Sequence, residues 1–173
     1  MTTFFLRRLA AGPHAPAFAG QSTPWPVALA DQTTDPSLDE ALRGHVAAAG
    51  RLLTPVAADL LATTGRPVDL FGFTPNPAKL GTAANASASV PGIALAQLGA
   101  LIDAEELGYN PAEAKPVAVL GHSQGILAVH MVQAIREAGS VEAAAPSIDE
   151  ILAIASLIGI AGTRQARQLG LAA

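Results

Sequence analysis

Residues 117–125 read Val-Ala-Val-Leu-Gly-His-Ser-Gln-Gly: a short apolar run that ends in Gly121-His122-Ser123-Gln124-Gly125 and passes at once into a helix-forming stretch. That order predicts a strand, a sharp turn with a serine at its apex, and a helix. Glycines on both sides of Ser123 let the backbone turn tightly and let neighbouring elements approach. The turn sets the serine hydroxyl at a helix N-terminus, where amide N–H groups and the helix dipole favour developing negative charge. Ser123 is therefore the candidate nucleophile and the backbone N–H of Gln124 the candidate oxyanion donor. G-x-S-x-G alone is a weak signal, and the strand before it and helix after it give it weight. The bland alternative is a Gly-Ser turn closing a buried strand.

Helix, strand and helix around a serine elbow predict an α/β fold, with a parallel central sheet, flanking helices and the serine at the carboxyl end of its strand. Residues 1–16 read as an irregular lead-in, with Gly12, Pro13 and Pro16, and residues 17–173 as one domain. Ala17-Phe18-Ala19 reads as a first short strand, ended by Gly20-Gln21-Ser22-Thr23-Pro24-Trp25. Residues 31–37 form a polar turn. A helix then starts at Asp35-Pro36-Ser37. Leu38, Leu42, Val46, Leu53, Val56 and Leu60 mark one face of a helix, or of two helices broken near Gly50 or Pro55. Residues 67–73 read as an extended piece and 74–88 as a loop. A helix follows from Ser89 to about Leu107, with Ile93, Leu95, Leu98, Leu101 and Ile102 apolar, and Gly108-Tyr109-Asn110-Pro111 stops it. After the elbow a helix runs from Gln124 to about Ala138 and ends at Gly139. Ser147 and Glu150 form a capping box for a last helix to about Ile160.

The chain has 173 residues, enough for one domain with a real core. Half of them are apolar but only 4% aromatic, so alanine, leucine and valine do most of the packing. Charged residues are 14%, low for a free-standing domain, which points to surface covered by a partner or by more polypeptide. A net charge of −4 gives no electrostatic case for nucleic acid or for an anionic membrane. The absence of cysteine excludes disulfides, thiolate catalysis and zinc–thiolate sites. The longest apolar stretch, Ile151 to Gly162, reads as a buried helix too short to span a bilayer. The N-terminus lacks the layout of a secretory signal, so a cytoplasmic protein is expected.

A serine nucleophile needs a base, almost always a histidine within hydrogen-bond reach. His122 adjoins Ser123, so its side chain leaves the turn in another direction. His130 lies seven residues down the same helix, roughly 10 Å along its axis. His14 lies in the irregular lead-in and His45 on a helix face. The chain thus offers a convincing nucleophile without a convincing base. Asp103, Glu105, Glu106, Asp149 and Glu150 read as solvated faces and caps. No spacing of His, Asp and Glu resembles a metal site, and no phosphate-binding glycine loop is present.

Three pieces together, Phe18-Ala19-Gly20-Gln21, Ser89-Val90-Pro91 opening a helix, and Gly121-His122-Ser123-Gln124-Gly125, resemble the acyltransferase domain of fatty acid synthases. The likeness is closest to the acetyltransferase region of the large type I synthases of actinobacteria and fungi, and covers most of the chain from about residue 16. It implies the α/β-hydrolase-like core of acyl carrier protein acyltransferases. It also implies a ping-pong reaction in which Ser123 takes an acyl group from a coenzyme A thioester, with no bound cofactor. The group then passes to the phosphopantetheine thiol of an acyl carrier protein. By the resemblance Gln21 and the Gln124 amide form the oxyanion hole, and His122 is the elbow histidine, which is not the base. The family's Gly-Gln-Gly loop reads Gly20-Gln21-Ser22 here. The family's base histidine lies farther downstream than Ala173, so the chain reads as the N-terminal portion of the domain and is expected to work with the remainder of a synthase. Malonyl-selective members carry a carboxylate-pairing arginine on the helix after the elbow helix. That position aligns with Ile158, which implies a preference for acetyl. Two other readings stay open: a serine esterase or thioesterase, and a non-catalytic structural piece of a megasynthase.

Overall fold

The computed structural model describes residues 11–20, 24–64 and 86–171. Among them the expected α/β fold is not found. The sheet has two short parallel strands, β1 (Ala17–Phe18) and β2 (Leu120–Gly121), with Ala17 beside Leu120 and Phe18 beside Gly121. The rest of the ordered structure is helical: α1 (Trp25–Gln32), α2 (Pro36–Thr64), α3 (Ala86–Glu106), α4 (Pro111–Ala114), α5 (Gly125–Ala138) and α6 (Ala145–Gln168). The order strand, turn, helix holds locally, but the strand is Leu120–Gly121 and not the whole run from Val117, and the step from one elbow to a central sheet fails. The extended piece expected at 67–73 lies outside the described residues. Here helix faces rich in alanine, leucine and isoleucine make the core that a sheet would have made.

The helices begin and end for local reasons. Asp35 caps α2: its carboxylate accepts from the Ser37 hydroxyl at 2.7 Å and from the Ser37 and Leu38 amides at 2.8 and 3.3 Å. The Ser37 hydroxyl first, then the two amides, hold its carboxyl below the ordinary range. The suspected break at Gly50 or Pro55 does not occur, and α2 is one helix with Pro55 inside it. Residues 86–88, expected in a loop, form the first turn of α3, where the Ser87 amide donates to the Thr163 hydroxyl of α6 at 2.8 Å. Gly108, at φ 89°, ends that segment as expected, and Gly139, at φ 98°, closes α5. Ser147 is not a cap. Turns through Ser140–Ala145 start α6 three residues earlier, with Ala144 in the cap position and Pro146 in the first turn, and the helix continues to Gln168.

α1 was not foreseen: Gly20–Trp25 read as the end of the first strand and 31–37 as a polar turn, yet Trp25–Gln32 is helical. Pro26 sits in its first turn, where a missing amide costs nothing. α1 packs on small residues of α3. A Cβ on Gly92 would come within 2.6 Å of the Trp25 ring, and one on Gly99 within 2.5 Å of the Gln32 carboxamide. The main core joins Leu38, Leu42 and Leu53 of α2, Leu95, Leu98 and Leu101 of α3, Met131 and Ile135 of α5, and Ile148 and Leu152 of α6. Of the α2 face expected to be apolar, Leu38, Leu42 and Leu53 are buried, Val46 packs at the edge and Val56 is exposed.

Two helices, α3 and α6, are long and apolar enough to cross a membrane, which corrects the expectation that no stretch is; 72% of the apolar window of α3 is buried within the fold and 39% of that of α6. α3 is thereby the central core helix. β2 is less covered: in the strand run only Val119 packs on the core, while Val117 and Leu120 are 72% and 56% exposed.

Candidate active site

Three backbone bonds zip the segment before the elbow to the N-terminal strand. The amides of Val117, Leu120 and His122 donate to the carbonyls of His14, Pro16 and Phe18 at 3.0, 2.9 and 3.0 Å. The lead-in therefore carries the first rung of the ladder. His14 is tied down there: the Gly12 carbonyl can only accept, so Nδ1 carries a proton, and the Tyr109 hydroxyl lies 2.8 Å from Nε2. Burial raises the pKa of the Tyr109 hydroxyl above its ordinary value.

The elbow glycines have steric reasons to be glycine. A Cβ on Gly125 would run into the Phe18 carbonyl oxygen, and one on Gly121 would lie 2.6 Å from the Gly125 carbonyl oxygen. Gly20, after β1, is buried directly against the apex: its Cβ position is 2.7 Å from the Ser123 Cβ and 2.8 Å from both Gln124 Oε1 and the His122 carbonyl oxygen. Between these contacts Ser123 is held at φ 55°, in the left-handed region that non-glycine residues avoid. Strain of this kind persists only where the surroundings over-determine it, and it clusters at functional sites.

Ser123 and His122 are exposed at the turn. The Ser123 hydroxyl donates to Gln124 Oε1 at 2.6 Å. An amide oxygen orients a hydroxyl but is too weakly basic to take its proton. The amides of Gly125, Ile126 and Leu127 donate to the carbonyls of His122, Ser123 and Gln124. Gln21, the second expected donor, lies outside the described residues.

No histidine among the described residues hydrogen-bonds Ser123. His14 is bound as above. His45 Nδ1 lies 2.6 Å from Asp149 Oδ1, a half-buried pair that links α2 to α6. Asp149 is nine residues before Ile158 on α6, about 13 Å along the axis. His130 lines a groove between α5 and α6 of about 450 Å³. Gln133, Ala134 and Ser147 wall the groove near the 139–144 connection, and Ile126 and Ile154 wall its other end. The helices run antiparallel there. One turn beyond Ile154 on α6 is Ile158. Ile158, 49% exposed, is not among the residues that line the groove, and Gly159 beside it is seated on the Ala86–Ser87 backbone.

One residue passed over in the sequence belongs to this site. Gln97, in the middle of α3, donates from Nε2 to the Ala19 carbonyl at 2.6 Å. A buried glutamine amid the apolar run from Ile93 to Leu101 was the available signal. Among the described residues no group of His, Asp or Glu could hold a metal ion. Comparison with protein-family models and with curated proteins finds no match.

Proposed function

We propose that this chain performs acyl transfer through a serine ester. Ser123 Oγ attacks the thioester carbonyl of acetyl-coenzyme A, the C–S bond breaks, and coenzyme A leaves as the thiol. The acetyl group then passes from Ser123 to the phosphopantetheine thiol of an acyl carrier protein, in the service of fatty acid synthesis. The observation that carries this reading is the strained apex: a serine at φ 55°, pinned by Gly20, Gly121 and Gly125 at the start of a helix. The Gln124 amide is the donor assigned to the oxyanion, with Gln21 assigned by resemblance as its partner. Ile158, the position assigned by resemblance to acyl selectivity, is apolar; it suits acetyl and offers no cation to a malonyl carboxylate.

One observation favours a second reading. The Ser123 proton needs a base, and the described residues bring only the Gln124 carboxamide to it. In that reading the chain alone is a non-catalytic piece of a larger synthase.

Incubation with acetyl- or malonyl-coenzyme A and a phosphopantetheine-bearing carrier protein, followed by product analysis, tests these readings. Serine-dependent transfer of acetyl to the carrier thiol is expected. Release to water points instead to an esterase or thioesterase, and no turnover by the folded chain to the non-catalytic reading. A preference for malonyl contradicts the role given to Ile158. With acetyl preferred, Ile158→Arg is expected to raise the malonyl-to-acetyl ratio roughly tenfold, about the effect of one well-placed ion pair.

A further inference from the structure

We propose that Gln97 is a positioning residue for the Ser123 reaction: it clamps the Ala19–Gly20 backbone over the elbow without touching substrate. This role rests on the acyl-transfer reading above. Gln97 is only 7% exposed, on a helix whose surrounding positions are apolar and buried. Its Nε2 donates to the Ala19 carbonyl at 2.6 Å, which fixes the orientation of the carboxamide, since the reverse orientation would set two acceptors face to face. Its Oε1 is then left buried with no hydrogen-bond partner among the described residues. One orphaned buried carbonyl costs at least as much as one amide hydrogen bond returns. Gln97 therefore brings α3 no net stability that leucine or methionine would not bring at less cost.

What it does bring is a fixed point. Three consecutive residues are held in three different ways. The Phe18 carbonyl is held by the His122 amide, the Ala19 carbonyl by Gln97, and Gly20 by contact with Ser123 and Gln124. Gln97 is the only one of the three anchors that comes from outside the two strands and the elbow. It ties the start of the loop leading to Gln21 to the core helix. Removing it frees the Ala19–Gly20 peptide to lift from the serine, and a displacement of about 1 Å at a reacting centre costs on the order of a hundredfold in rate.

The test compares wild type with Gln97→Met, which keeps volume and removes the donor. Two readouts are taken: the rate of Ser123 acetylation by acetyl-coenzyme A over a range of concentrations, and amide hydrogen exchange at residues 18–20. Expected are an unfolding midpoint equal to or above wild type and faster exchange at 18–20 with α3 unchanged. The limiting acetylation rate should fall roughly ten- to a hundredfold, with the half-saturating concentration changed less than about twofold. A merely structural glutamine would lower the midpoint and leave that split unmoved. Should Gln97→Met not fold, Gln97→Leu also removes the donor with an apolar side chain of similar size. Acetylation at the wild-type rate with unchanged exchange overturns the proposal. No acetylation of wild type overturns the acyl-transfer reading and the catalytic role with it, and the exchange comparison then decides the clamp alone.

Discussion

The elbow and the helical body hold their shapes by opposite means. The body is built from large side chains, such as Ile148, Leu152, Met131 and Leu98, each almost wholly removed from water. Its stability is spread over much apolar area and tolerates exchange of one side chain for another of equal volume. The elbow is built from side chains that are missing. Gly20, Gly121 and Gly125 let three backbone segments meet where even a methyl group has no room, and the residue they surround is strained and exposed. The body is organised for burial, and the elbow for a backbone geometry that burial alone would not select.

That contrast predicts how each region breaks. Leu152→Ala empties a fully buried site and should cost about 2–5 kcal/mol in urea unfolding, whereas Leu152→Met should cost less than about 1.5 kcal/mol. Gly125→Ala adds one methyl against the Phe18 carbonyl and should cost about 1–3 kcal/mol, with no milder substitution available; a cost near zero would show that the approach of β1 to the elbow is not tight. At the apex the sign inverts. Ser123→Gly releases the left-handed strain and should be more stable than Ser123→Ala by about 1 kcal/mol. Equal stabilities would remove the strain from the account.

The smallest effect is electrostatic. Burial first, then the charges of Asp35 and Asp31, raise the Asp103 carboxyl above its ordinary value of 3.8. The folded state thus holds this proton to higher pH than the unfolded chain does, so the contribution of Asp103 to stability falls as pH rises through that window. Asp103→Asn should therefore be slightly stabilising at neutral pH and neutral below about pH 4, as read from unfolding midpoints at both pH values.

The sequence made the elbow legible because its signal is local: two glycines around a serine, an apolar run before and a helix after. The helix stops at Gly108 and Gly139 were legible for the same reason. What it hid was non-local. Nothing along the chain says that Gly20 sits on Ser123, or that Gln97 reaches Ala19 across 78 positions. The α/β expectation failed at the same step, since a strand-like run names no partners and β2 pairs with β1 over two residues. The polar residues at 31–37 hid the end of α1, and Ser147 looked like a cap because the turns through 140–145 that start α6 carry no strong residue signal.

The most direct test of the central claim is the mass of the intact protein after incubation with acetyl-coenzyme A, beside Ser123→Ala, with the modified peptide mapped. The account predicts one acetyl group on Ser123 in the wild type and none in the variant. An unmodified, folded wild-type chain, or an adduct that survives Ser123→Ala, would contradict it.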